Sequence, residues 1–411
     1  MSVAGMVIVG AGEAGARAAT SLRERGFTGP VTLIGEETHL PYERPPLSKH
    51  AMTSEAEPEA AFILDEARLA AKGIVHIAGA AVIAIDRAAH DVTLDDGRSI
   101  PYAKLLLATG ARPRRLTVPG AGPENVLYLR TFADALAMRA RLVPATRLVV
   151  IGGGFIGLEI AASALERGCT VTVVEMAPRI LGRAVPAEIA AVVAERHGRA
   201  GIEIITGIGL TLITREGSVE IVTLANGRRL ECDTIIAGVG AIPQTTLAEA
   251  AGLETENGVR VDGRLVTTDP DILAAGDCCS FPHPIYDGRR MRLEAWRNAQ
   301  DQGAHAAGSM LGGTEEYDTV PWFWSDQHDQ TLQIAGMPDE GEITVLRDVG
   351  GGGRLYFHLK ADGRLVAASG VGPVSKVARD IRLAEMLIQR RAHSDPAQLA
   401  DPGVKLKSLL P

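Results

Sequence analysis

The sequence predicts an α/β fold: two doubly wound domains on parallel sheets, one inserted in the other, followed by a C-terminal α+β domain. Three observations predict it. Two glycine-rich turns, Gly10-Ala11-Gly12-Glu13-Ala14-Gly15 and Gly152-Gly153-Gly154-Phe155-Ile156-Gly157, each follow a short apolar run and open a helical pattern. A later apolar run, Ile272-Leu273-Ala274-Ala275 before Gly276-Asp277, reads as the last strand of the first domain, which places the second domain inside it. From about residue 321 the texture changes, with Trp322, Phe323 and Trp324 clustered in a chain that is only 4% aromatic.

The elements follow in order. Residues 3–9 read as a buried strand, 14–26 as a helix and 31–34 as the next strand, a βαβ unit. Residues 105–110 read as a buried strand ending in a tight turn at Thr109-Gly110, and Pro113 and Pro119 mark a linker. The pattern restarts with a strand at 147–151, a helix at 156–167 and a strand at 171–175. Residues 234–240 echo 105–110, and Pro243 marks the return crossing. The domains expected are 1–112 with 245–320, 113–244, and 321–411. In the last, strands are expected at 331–335, 342–346, 354–359 and 364–369, with Asp362-Gly363 as a hairpin turn. A helix over about 375–391 carries Val377, Ile381, Ala384 and Ile388 on one stripe, and the tail after Pro396 reads as loosely packed.

Composition narrows the function classes. The 411 residues are 46% hydrophobic, enough for full cores. No apolar run approaches the roughly 20 residues a membrane span needs. A basic leader region is absent before the first strand, so a cytoplasmic location is expected. The net charge of −8 argues against a nucleic-acid partner. The 4 cysteines, Cys169, Cys232, Cys278 and Cys279, form no C-x-x-C pair, so they read as reduced thiols and no metal site is expected.

At each turn the glycines have separate tasks. Gly10 and Gly152 permit the tight turn, Gly12 and Gly154 let the backbone approach a pyrophosphate, and Gly15 and Gly157 let helix and strand pack closely. The helix N-terminus behind each turn offers free N–H groups to phosphate. Two such turns in one chain point to two dinucleotides and to electron transfer between them. Glu36 and Glu175 end the strands about 20 residues downstream, where a carboxylate accepts from ribose hydroxyls and repels a 2′-phosphate. The second site is therefore expected to prefer NADH, with Arg179 and Arg183 nearby as groups that would accommodate a phosphate. The split first domain suits a long FAD, with Asp277 either accepting from its ribityl chain or capping a helix. NAD is assigned to the second.

The segment Leu40-Pro41-Tyr42-Glu43-Arg44-Pro45-Pro46-Leu47-Ser48-Lys49 puts Arg44 and Lys49 around two rigid prolines, either as cations beside a flavin or as a solvated basic loop. No cysteine stands at this point of the chain, where flavin disulfide reductases place redox sulfur, so no thiol here carries electrons away. Glu159, on the first turn of the second helix, either faces a nicotinamide carboxamide or is an acid favoured at a helix N-terminus.

Four strings in this chain resemble the NADH-dependent ferredoxin reductases of bacterial oxygenase systems: Pro45-Pro46-Leu47-Ser48-Lys49, Gly152 through Glu159, Ala274-Ala275-Gly276-Asp277-Cys278, and Pro321-Trp322-Phe323-Trp324-Ser325-Asp326-Gln327. The resemblance implies an FAD domain, an inserted NADH domain and a C-terminal interface domain. It implies that Lys49 and Glu159 lie together near the flavin, with Trp322 or Trp324 near the ring, as the catalytic group. It also implies FAD contacts at Ala14, Glu36, Lys49, Val82, Arg130, Asp277 and Trp296, of which Trp296 is larger than the residue expected there. Thr109, Gly110, Glu294 and Ala295 complete the expected flavin side, and Phe155 and Ile156 the NAD side.

The chemistry so implied takes a hydride from NADH and delivers single electrons to a small acidic iron–sulfur protein serving a Rieske oxygenase or a cytochrome P450. An acidic partner calls for a local basic surface, and Arg289, Arg290, Arg292 and Arg297 are the densest candidate, an ordinary solvated loop being the other reading. Two alternative functions remain: an NADH oxidase or monodehydroascorbate-type reductase with a diffusible acceptor, and an NADH-sensing flavoprotein resembling apoptosis-inducing factor.

Overall fold

The structure, a computed structural model, describes residues 5–182 and 185–410. The chain divides into two compact units. The first comprises residues through Glu43, Ala60–Arg112 and Ile242–Trp322; the second comprises Arg44–Glu59, Pro113–Ala241 and Phe323–Pro411. The expected inserted and C-terminal domains thus share one unit, together with the short segment that carries Lys49.

The first unit is built on a sheet in which Ile74–Ala78, Val31–Gly35, Gly5–Val9, Ser99–Leu107 and Ile272–Ala274 run parallel in that order. Gly5–Val9 is buried along its whole length, as a parallel strand covered on both faces must be, and Met-Val-Ile-Val meets that demand. Ile272 pairs with Leu105 and Ala274 with Leu107, so the late strand closes the first sheet as its sequence suggested. Asp91–Leu94 and Val82–Asp86 extend the sheet antiparallel beyond Ser99–Leu107. Against one face, the Glu13–Glu24 helix packs on the Trp296–Met310 helix. A Cβ on Gly303 would lie 2.3 Å from the Ala14 carbonyl oxygen, so only glycine allows this approach.

In the second unit, Glu203–Thr206, Thr170–Glu175, Arg147–Ile151, Thr234–Ala237 and Val126–Leu127 form a parallel sheet in that order. The Phe155–Glu166 helix follows its glycine turn, and the Ala187–Ala200 helix ends on left-handed Gly201. An antiparallel ribbon, Leu210–Glu216, Val219–Leu224 and Arg229–Cys232, stands between sheet strands. The C-terminal part is a five-stranded sheet in the order Trp322–Gln327, Gln330–Gly336, Leu365–Gly372, Gly353–Leu359 and Ile343–Gly350. The Val374–Gln389 helix lays Val377, Ile381, Ala384 and Ile388 on it, all fully buried.

One strand is added to those expected, and one expectation is corrected. Trp322–Gln327, read as an aromatic motif, is a strand of the C-terminal sheet. The tail beyond Pro396 is packed: Leu399 and Leu406 are buried, and the Arg347 guanidinium donates to the carbonyls of Leu399, Asp401 and Val404. The arginine lies about fifty positions earlier in the chain, so no local pattern announces the tail's anchor. Among the described residues, no helix is long and apolar enough to cross a membrane.

Candidate active site

Each glycine turn has the geometry that excludes side chains. Gly10 and Gly152 hold φ of 111° and 104°, and a Cβ on either would strike a carbonyl oxygen, of Ala108 at 2.1 Å and of Gly238 at 2.4 Å. Cβ atoms on Gly15 and Gly157 would lie 1.9 Å and 2.1 Å from the carbonyl oxygens of Gly10 and Gly152. Gly12 differs: nothing lies within 4 Å of its Cβ position, and Gly154 meets only the Gly238 carbonyl oxygen at 4.0 Å. Neither following helix has a side-chain cap, although both begin at these glycines. The first-turn N–H groups of both helices are thus left without a side-chain acceptor, beside open space. This arrangement fits a pyrophosphate at each turn.

In the first unit the late strand brings Gly276 onto the turn. Gly276 has φ of 81°, and its Cβ would lie 3.1 Å from that of Ala14. Its N–H donates to Gln302 Oε1 at 2.8 Å. Asp277 follows in a short 3-10 turn, its carbonyl accepting from Arg292. Glu36 is exposed just past Gly35, which is packed on Ala11. Thr109 donates to the Gln244 carbonyl at 2.7 Å, and the Gly110 carbonyl accepts from Gln244 N–H. Ala295 and Trp296 begin the Trp296–Met310 helix, and Glu294 pairs with Arg292. Val82 opens the outermost strand of the sheet, opposite Leu94. Arg297 lies over the Trp322 ring at 5.5 Å.

The sequence reading passed over Glu13, although it sits within the first turn. Its carboxylate accepts from Gln300 at 3.2 Å. Burial pushes its pKa up from 4.5 to about 7; the Glu43 charge adds to the shift, while Gln300, Trp296 and Arg17 oppose it. The folded state therefore keeps this proton to higher pH than the unfolded chain does. The associated stability is complete below about pH 4.5 and is lost as pH rises through about 7. Glu13→Gln is expected to match the parent below about pH 4.5 and to exceed it near pH 8 by on the order of 3 kcal/mol. Urea unfolding of flavin-free protein across that range checks this, and a difference that does not change with pH rejects it.

In the second unit, Lys49 Nζ lies 2.9 Å from Glu159 Oε1. Glu159 is only 4% exposed and also accepts from Ser48 Oγ at 2.5 Å and Ser325 Oγ at 2.6 Å. The rigid Pro45–Ser48 turn delivers Ser48 and Lys49, and the uncapped Phe155–Glu166 helix delivers Glu159. Arg44 donates to the Arg130 carbonyl at 2.5 Å. Phe155 stacks at a tilt on Phe323, with centroids 4.2 Å apart, while Ile156 is 46% exposed. Trp324 Nε1 donates to Asp326 at 3.1 Å. Glu175 accepts from Gly153 N–H and Ala177 N–H, each at 2.7 Å, so its carboxylate is aimed at the turn. Arg183 lies outside the described residues.

Two further outcomes concern charge and sulfur. Three arginines of the cluster are paired: Arg290 with Glu256 at 2.5 Å, Arg292 with Glu294 at 2.6 Å and Arg297 with Asp301 at 3.6 Å. Glu294 and Asp301 are sequence neighbours of their arginines, whereas Glu256 comes from a segment remote in sequence. All four cysteines are free and buried, and burial pushes the Cys278 and Cys279 thiols up, Cys279 well above 9. A thiolate is disfavoured there.

Besides Glu13, four residues were missed in the sequence: Ser48 and Ser325, which donate to Glu159, then Gln327 and His197, which continue from Ser325 as a hydrogen-bonded string. The first three lie inside strings already singled out, where serine next to Lys49 and serine two residues before glutamine were visible but unassigned. His197 had no local signal.

Residues 5–303 match the family described as pyridine nucleotide-disulphide oxidoreductase, and residues 322–410 match the one described as reductase C-terminal. The chain is 43% identical over 416 residues to the ferredoxin–NAD(+) reductase component of the anthranilate 1,2-dioxygenase system of Burkholderia cepacia, covering 100% of both. It is 37% identical to putidaredoxin reductase of Pseudomonas putida, covering 98% of this chain and 96% of the relative. A crystal structure of a ferredoxin reductase from Rhodopseudomonas palustris superposes with a TM-score of 0.94 at 39% identity, over 100% of both chains. The covalent putidaredoxin reductase–putidaredoxin complex gives 0.92 at 35%, over 100% of this chain and 98% of the other. With a match that runs through both glycine turns and on to the C-terminal sheet, the chain belongs to the pyridine nucleotide-disulphide oxidoreductase family and is an oxidoreductase.

Proposed function

We propose that this protein is a cytoplasmic, FAD-dependent reductase that takes electrons from NADH and passes them to a small iron–sulfur protein, a ferredoxin, which feeds a Rieske oxygenase or a cytochrome P450. The observation that carries the proposal is the pair of uncapped helices, one behind each glycine turn, in a chain whose thiols are all buried. The names of its relatives, ferredoxin–NAD(+) reductases of oxygenase systems, agree with it.

FAD is assigned to the first unit. There Gly12 and the first-turn amides of the Glu13–Glu24 helix would take the pyrophosphate, with Gly276 and Asp277 beside them. NADH is assigned to the turn at Gly152–Gly157. When bound, the flavin accepts two electrons from nicotinamide together and releases them one at a time. The chain supplies placement and charge. Lys49, held by Glu159, would supply a fixed cation to stabilise negative charge on the flavin, and Trp322 and Trp324 would supply aromatic contact. Glu175 accepts from the ribose hydroxyls of NADH and repels the 2′-phosphate of NADPH. Glu175→Ala is accordingly expected to narrow the ratio of kcat/KM for NADH over NADPH about tenfold or more, since the repulsive element is what it removes. An unchanged ratio rejects the role of Glu175.

The test of the whole reading is direct. Purified protein is expected to be yellow or to become so with FAD, to bleach with NADH, and to reduce cytochrome c only when a ferredoxin is added. Protein that stays colourless rejects the proposal, and oxygen uptake at the full rate without ferredoxin replaces it with an oxidase.

A further inference from the structure

The Glu159 carboxylate is the end of a longer string of hydrogen bonds, all within the second unit. Ser325 Oγ, which contacts Glu159, lies 3.0 Å from Gln327 Nε2. Gln327 Oε1 lies 2.7 Å from His197 Nε2, and His197 Nδ1 lies 3.3 Å from His328 Nε2. Ser325 and His197 are fully buried and Gln327 is 7% exposed, so none of the three can exchange a lost partner for bulk water.

The direction of every bond follows from its far end. A carboxylate paired with Lys49 only accepts, so the Ser325 hydroxyl hydrogen points to Glu159. Ser325 Oγ is then left to accept, and the Gln327 amide must turn its NH2 to Ser325 and its oxygen to His197. That oxygen requires a hydrogen on His197 Nε2, which leaves Nδ1 bare to accept from His328. Burial favours this neutral ring, lowering the His197 pKa against the opposing hydrogen bond to Gln327, with Arg196 acting in the same sense as burial. A chain whose donors all point one way is strengthened along its length and holds its terminal acceptor firmly.

We infer that His197 and Gln327 are positioning residues for the Lys49–Glu159 pair, acting through Ser325 by this one-way string. The inference rests on the proposed function only where it concerns flavin reduction; its structural part concerns the pair itself. His197 belongs to the Ala187–Ala200 helix, and Gln327 and His328 to the Trp322–Gln327 strand and the turn after it, so the string also ties a helix and a strand of the unit to one carboxylate.

The test uses three full-length variants. His197→Phe keeps a ring of similar size but has no N–H. Gln327→Leu removes both the amide oxygen and the NH2. His197→Gln places an amide N–H close to where Nε2 stood. The first readout needs no cofactor: the rate at which Lys49 is acylated by trace acetic anhydride, measured by peptide mass spectrometry. The second is the limiting rate of flavin bleaching by saturating NADH, with the apparent Kd for NADH measured alongside. His197→Phe and Gln327→Leu are expected to speed Lys49 labelling and slow bleaching, each by about 2- to 10-fold, the equivalent of one hydrogen bond, with Kd unchanged. His197→Gln is expected to return both to parent values.

Parent-like labelling and bleaching in His197→Phe and Gln327→Leu overturn the inference. So does a His197→Gln protein that melts like the parent yet labels like His197→Phe, because packing rather than the N–H would then be at work. If His197→Phe does not fold, Gln327→Leu and His197→Gln still decide. Parent protein that takes up no flavin would remove the proposed function, and the labelling result would stand on its own.

Discussion

Replacing Lys49 with methionine is expected to slow NADH-dependent flavin bleaching about 100-fold, the loss typical of removing one preorganised charge from an active site. Glu159 is almost wholly buried, and Lys49 is its only charged partner among the contacts described, at 2.9 Å. Methionine keeps the unbranched side chain up to the position of the ammonium group and removes the cation. The carboxylate would keep the hydroxyls of Ser48 and Ser325, so the fold should survive. Lys49 is itself 26% exposed, and solvent screening reduces what the pair contributes, so a stability loss of roughly 1–2 kcal/mol is expected rather than the full cost of an orphaned buried charge. Stopped-flow bleaching and a melting curve separate the two effects. Bleaching within twofold of the parent rate would remove Lys49 from the mechanism, and Lys49→Arg should recover part of the rate because the charge returns with a different shape.

Gly15→Val is expected to yield little folded protein, and what folds should carry no flavin. Its Cβ would lie 1.9 Å from the Gly10 carbonyl oxygen, and that atom is backbone in a turn already held at φ of 111°. Neither side can give way without parting helix from strand, a loss expected to exceed about 4 kcal/mol. Gly12→Ala is the companion experiment. Nothing stands within 4 Å of its Cβ, so this variant is expected to fold and melt like the parent while its FAD affinity falls at least about tenfold. Fluorescence titration with FAD checks it. Unaltered affinity would mean that the open space at Gly12 is not where pyrophosphate sits.

The two glycine variants show why so much of this site was legible in advance. Each turn is a local solution to a local problem, and the residues that solve it are adjacent in sequence. The strand at Ile272–Ala274 was legible for a related reason: a fully buried parallel strand is a run of apolar residues wherever it occurs. The stripe of Val377, Ile381, Ala384 and Ile388 was visible because a helix on a sheet imposes its own period. The strand Trp322–Gln327 was missed because its aromatic and polar residues do not alternate. The tail was missed because Arg347, which holds it, is remote from it in sequence.

The sequence by itself determined the two glycine-rich turns, the carboxylates that end the following strands, the late strand of the first sheet and the lack of a C-x-x-C pair. These depend on backbone conformation and on contacts between neighbours in the chain, and both leave a pattern in a short window. Only the tertiary structure decided that Ser48 and Ser325 share the Glu159 carboxylate with Lys49, that Gln327 links Ser325 to His197, that Glu13 is buried enough to change its acidity, and that Arg290 meets Glu256. Each of these depends on which charges and donors meet across long stretches of chain, and on how much water is left between them, and neither is written in the order of the residues.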